Sequence, residues 1–104
     1  MVIYSSQAII DLTNLLYGLR NWSKHHISDE HALSYVDDIA DICDVIDLKA
    51  FHFNTQFPEH KRFGEKVHTY RRNKQTNWYI IYNLDSHGNV YIQRIFSNHL
   101  TTEI

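Results

Sequence analysis

Hydrophobic and polar positions alternate most clearly in the second half of the chain. Trp78–Leu84 (WYIIYNL) and Val90–Phe96 (VYIQRIF) are runs of aromatic and β-branched residues, separated by the polar segment Asp85–Asn89 with its glycine, Gly88. That pattern predicts an antiparallel hairpin in which glycine supplies a positive φ. Val67–Arg72 is a third extended run, and three linked strands need a covered face. The first half supplies the cover, because its period changes. Ala8, Leu12, Leu15, Leu19 and Trp22 recur at helical spacing after Ser5 or Ser6, either of which can cap a helix. A second stripe, Ala32, Val36, Ile39, Cys43 and Ile46, follows Ser28, with Asp29 and Glu30 placed in the positive first turn. Asp37, Asp38, Asp41 and Asp44 lie off that stripe and read as a solvated face. Met1–Tyr4 is short, apolar and β-prone.

Phe51–Phe63 reads as a connector. Pro58 blocks a continuing helix and biases Phe57 towards an extended conformation. Four of the five phenylalanines fall in this segment, so their rings are expected to tuck under the sheet edge. Gly18 costs its helix up to about 1 kcal/mol relative to alanine and is expected to mark a close backbone approach. Strand, helix, helix and three strands give one domain over residues 1–104. The predicted class is α+β: an N-terminal strand and a two-helix antiparallel hairpin packed on one face of a mostly antiparallel four-stranded sheet.

Composition narrows the function classes. Hydrophobic content of 43% with 21% charged residues fits a globular chain rather than a disordered one. No apolar run approaches the roughly 20 residues of a membrane span. One cysteine excludes an internal disulfide, and a cytoplasmic location is the simplest reading. Residues 1–58 carry three Lys/Arg against eight Asp/Glu, a net −5, whereas residues 59–104 carry seven against four, a net +3. An acidic helical half and a basic sheet half point to an acidic partner or nucleic acid at the basic end. A whole-chain pI near 6.4 argues against a generic nucleic-acid binder.

Four motifs stand in series: V-I-Y-S-x-x-A-x-x-D-L at Val2–Leu12, F-P-E at Phe57–Glu59, W-Y-I-I-Y at Trp78–Tyr82, and V-Y-I-Q-R-I at Val90–Ile95 before a short polar tail. In order and spacing the series resembles the RelE/ParE superfamily of bacterial toxins over nearly the whole chain. The resemblance implies the toxin of a type II toxin–antitoxin (plasmid stabilisation) pair, held inactive by a cognate antitoxin that wraps its surface. One branch of that family cleaves messenger RNA on the ribosome; the other inhibits DNA gyrase by binding. The nucleases usually carry an arginine just before the I/V-x-Y of the central strand, where this chain has Trp78 or Tyr79. They carry another basic residue after the last strand, where Asn98 and His99 stand, and a tyrosine or histidine near the end, where the tail is Thr101–Ile104. The chain therefore resembles the gyrase-binding branch more than an active endoribonuclease. A non-toxic interaction module on the same scaffold is the other reading.

The residues left for a nuclease are Arg71, Arg72, Lys74, Arg94, His68 and His99; His99, as acid or base near neutral pH, and Arg72, among the arginines that can hold phosphate, are the catalytic candidates. His68, Arg71, Arg72, Lys74 and Arg94 are the candidates for contact with nucleic acid or a protein partner. Arg71, Arg72 and Lys74 read equally well as a solvated strand end. Arg94 follows Val90 and Ile92 at alternating positions, which places it at the end of an apolar face, where a charge needs a partner. The eight histidines show no H-x-x-x-H pair and no Cys–His spacing, so neither a metal site nor a cofactor is expected.

Overall fold

The computed structural model describes residues 1–20 and 29–98. The readings at Trp22, Ser28, His99 and the tail fall outside the described residues. The elements are β1 (Val2–Tyr4), α1 (Ser6–Arg20), α2 (Asp29–Asp44), a 3₁₀ turn (Ile46–Leu48), β2 (Phe53–Asn54), α3 (Pro58–Lys61), β3 (Lys66–Arg71), β4 (Asn77–Leu84) and β5 (Val90–Ser97). The five strands form one mixed sheet in the order β1-β5-β4-β3-β2. The α+β class holds. The sheet has five strands rather than four, because Phe53–Asn54 in the connector pairs antiparallel with Val67 and Lys66 of β3.

Register sorts the strands by face. Val2 and Tyr4 of β1 lie opposite Val90 and Ile92 in the parallel β1–β5 pair. Tyr82 and Ile80 of β4 lie opposite Ile92 and Ile95. These residues share one face with Trp78, and that face meets Ala8 of α1, Ile39 and Cys43 of α2, and Ile46 of the 3₁₀ turn in the main core. Each fully buried isoleucine there contributes about 1.5–3 kcal/mol. α1 begins where expected: the Ser5 hydroxyl accepts from the Ala8 amide at 3.0 Å and donates to the Gln93 carbonyl at 3.0 Å, so one side chain caps the helix and fixes it to β5. No helix among the described residues is long and apolar enough to cross a membrane.

The other sheet face carries a smaller layer. His60 of α3 packs 4.7 Å from the Tyr79 ring centroid and 5.4 Å from that of Phe96, and Phe63 sits 6.0 Å from Phe96. The connector phenylalanines depart from expectation. Phe51, Phe53 and Phe57 are exposed, and only Phe63 is half-buried. Gly18 approaches nothing within 4 Å. The close approach belongs to Gly64, where a Cβ would stand 2.9 Å from Ile81 Cγ2 and 3.2 Å from the Tyr82 carbonyl. Gly88 takes φ +81° in the β4–β5 loop, as its place in the hairpin requires. Asp85 closes that loop by accepting from the amides of His87 and Asn89 and from the Tyr91 hydroxyl. Hydrogen bonds from Asn89 lead the causes that hold its carboxyl at about 2.

Candidate functional site

β5 does not alternate regularly. Ile81 lies opposite Arg94 and Tyr82 opposite Ile92, so Gln93 is an extra residue with no partner on β4, a β-bulge. The bulge moves Arg94 off the face of Val90 and Ile92 and onto the opposite one. The sequence reading of Arg94 as the end of that apolar face is corrected accordingly. Its partner is internal. Arg94 Nε donates to Asp11 Oδ2 at 2.8 Å and Nη2 to Oδ1 at 3.3 Å. The Ile95 amide, freed by the bulge, donates to the same carboxylate at 2.8 Å, and Gln7 Nε2 donates to it at 3.1 Å. Asp11 stands on the core-facing side of α1 between Ala8 and Leu12, and its side chain is 8% exposed. One carboxylate thus ties α1 to the irregular part of β5.

Beside this junction opens a cleft of about 520 Å³. Its walls are the start of α1 (Ser5, Ser6, Gln7), the segment after α3 (Arg62, Phe63) and the bulge (Gln93, Arg94). Both guanidiniums lie over the Phe63 ring, Arg62 Cζ at 4.5 Å from its centroid and Arg94 Cζ at 4.6 Å. Arg62 makes no ion pair among the described residues.

The basic candidates on the late strands are not gathered in one place. Arg72 turns towards the helices, where its Nη1 donates to Asp38 Oδ2 at 2.6 Å and its guanidinium stacks 4.1 Å above the Tyr35 ring. Tyr35 in turn accepts from Trp78 Nε1 at 3.0 Å, so this corner is a packed structural unit. Asp38 is therefore not merely solvated, nor is Asp44, which accepts from the Tyr4 hydroxyl. Arg71 and Lys74 are exposed at the β3–β4 end. Arg71, opposite Asn77, shares the sheet face away from the helices. His99 lies outside the described residues.

His68 belongs to a different group at the β2–β3 edge. Lys49 Nζ lies 2.8 Å from His68 Nδ1. An ammonium can only donate, so Nδ1 is the bare nitrogen and His68 is neutral. Burial lowers the His68 pKa and the Lys49 charge lowers it further. Lys49 is itself lowered by burial. His52 Nδ1 sits 2.7 Å from the Tyr82 hydroxyl, whose pKa burial pushes up to about 12. Burial, then Lys49 and Lys66, lower His52 in the same way. Lys66 donates to Asn54 at 2.6 Å. Neither lysine has a carboxylate partner among the described residues. Just outside this group stand Leu48, Phe51 and Phe53, 79%, 76% and 66% exposed. Among the described residues β2 pairs only with β3, and its outer edge has no strand partner.

Sequence reasoning missed Asp11, Lys49 and His52, and counted Arg62 only among the basic residues around the late strands. Two signals pointed to the first junction: an aspartate inside the apolar stripe of α1, and a three-residue step from Ile92 to Ile95 where a regular strand steps by two. No protein-family model, curated protein or solved structure matches this chain.

Proposed function

We propose that this chain is a toxin of the ParE kind, which acts by binding a protein target and is held inactive by a cognate antitoxin. The observation that carries the reading is the β2 edge. A two-residue strand with an open edge, three large exposed apolar side chains and two lysines without carboxylate partners is a surface suited to a second chain. An extended acidic segment fits it by adding a strand to the sheet, with its side chains against Phe51 and Phe53 and its carboxylates towards Lys49 and Lys66. The nuclease reading draws less support. A nuclease centre needs its phosphate clamp unengaged, and Arg72 is held by Asp38 in a packed corner against Tyr35. The gyrase-binding branch of the resemblance accords with that, and DNA gyrase is the proposed target.

Induced expression tests the reading. Growth is expected to stop, and co-expression of the adjacent small gene is expected to restore it, with the two products purifying together. Unaffected growth would overturn the toxin assignment. Purified protein is expected to leave ribosome-bound messenger RNA uncut; cleavage abolished by His99→Ala would instead establish the endoribonuclease.

A further inference from the structure

The cleft beside the β5 bulge takes no part in the partner surface, and its chemistry is different. Its lining residues include two guanidiniums, two amide side chains and two hydroxyls, and no carboxylate. Asp11 neutralises Arg94 from outside the cleft and is already saturated with four donors. It engages Nε and Nη2, which leaves Nη1 of Arg94 without a protein partner among the described residues. Arg62 makes no ion pair among the described residues; it stacks on the same Phe63 ring as Arg94, and both line the cleft. An anion in the cleft supplies Arg62 with the counter-charge that no carboxylate among the described residues gives it, and can accept from the remaining Nη1 of Arg94. Guanidinium forks match the oxygens of a phosphate in a way that ammonium groups do not. The cleft volume lies within the roughly 300–1,000 Å³ of small-ligand sites, enough for a phosphate and part of the molecule that carries it.

We propose that this cleft binds a phosphate group, with Arg62 as its principal ligand and Arg94, fixed by Asp11, as the second. The inference does not rest on the toxin reading. The phosphate can belong to a small monoester or to the backbone of an RNA strand, and the probes separate the two.

The test is a titration of the ¹⁵N-labelled full chain, followed by amide NMR at constant ionic strength. The probes are orthophosphate, AMP, and a uridine trinucleotide without terminal phosphates. Saturable shifts are expected at the amides of Ser6, Gln7, Arg62 and Phe63. Arg62→Gln is expected to weaken binding by roughly tenfold with the remaining spectrum unchanged. Lys61→Gln removes the same charge one residue away, outside the cleft, and is expected to leave affinity within about twofold. AMP binding more tightly than the trinucleotide assigns the site to a monoester; the reverse order assigns it to an RNA backbone. Absence of saturation with all three probes up to about 10 mM overturns the proposal. Equal losses in the two variants do so as well, since they would reduce the effect to general charge.

Discussion

Gly64 and Asp11 show how single residues constrain this fold. Gly64 has no Cβ because Ile81 and the Tyr82 carbonyl occupy that space, and neither is the free end of a flexible chain. Gly64→Ala is therefore expected to lower stability by about 1–3 kcal/mol in urea unfolding, whereas Gly18→Ala, on an open helix face, is expected to be neutral or stabilising. Asp11 accepts four hydrogen bonds, two of them from a guanidinium, with its side chain largely shielded. Its removal leaves the Ile95 amide and a half-buried arginine unsatisfied. Asp11→Ala is expected to cost about 3 kcal/mol and Asp11→Asn less, since the amide keeps an acceptor. A measured loss below about 1 kcal/mol for Asp11→Ala would show that the junction does not hold α1 to β5. Of these positions, Gly88 was legible in the sequence, because a hairpin loop demands a positive φ. Gly64 was not, because the atoms that exclude its Cβ come from a strand seventeen or more residues later.

Elements were legible where they carried a period, or, as in the three-residue β1, an apolar β-prone run just before a capping serine. β1, α1, α2, β3, β4 and β5 carry a period of two or 3.6 over enough residues, or a flanking cap, to be read directly. β2 has two residues and α3 has four, too short for any period to register. Their absence from the reading is why a four-stranded sheet was expected and why the connector phenylalanines were sent to the wrong environment. The β2–β3 edge also sets a pH dependence. His52 and His68 are lowered by burial and by nearby lysines, and His60, on the opposite face, is lowered by burial against a raising influence from Glu59. Their ordinary value is 6.5, so below it the unfolded chain binds protons that the folded chain resists. Stability is expected to be fully present above 6.5 and to fall as pH drops from there towards the lowered folded values. Urea midpoints between about pH 7 and pH 5 measure this, and His68→Gln is expected to flatten the slope. Midpoints that stay level over that window would contradict the buried neutral histidines.

At the scale of the molecule, the charge asymmetry between the two halves could be counted from the sequence, but which cations are free could not. Arg72 meets Asp38 across 34 residues and Arg94 meets Asp11 across 83, so both join the acidic and basic halves within the fold. Reversing Arg71 and Arg72 together would therefore damage the fold along with any partner contact. Lys49 and Lys66 are the better probes of steering, since neither is held by a carboxylate among the described residues. Lys49→Glu with Lys66→Glu is expected to slow association with the proposed antitoxin and to flatten its dependence on salt, because attraction between solvent-accessible charges is screened within about 10 Å at 0.1 M salt. Phe51→Ser with Phe53→Ser is expected to act on the other rate. Both rings are exposed in the free chain, so the fold should keep its stability while the complex dissociates at least tenfold faster, the usual consequence of truncating aromatic anchors worth about 1.4 kcal/mol or more together. Surface plasmon resonance across a salt series separates the two effects. Unchanged rates in both double variants, with a complex that still forms, would move the docking surface away from the β2 edge and leave the toxin assignment to stand on the growth assay alone.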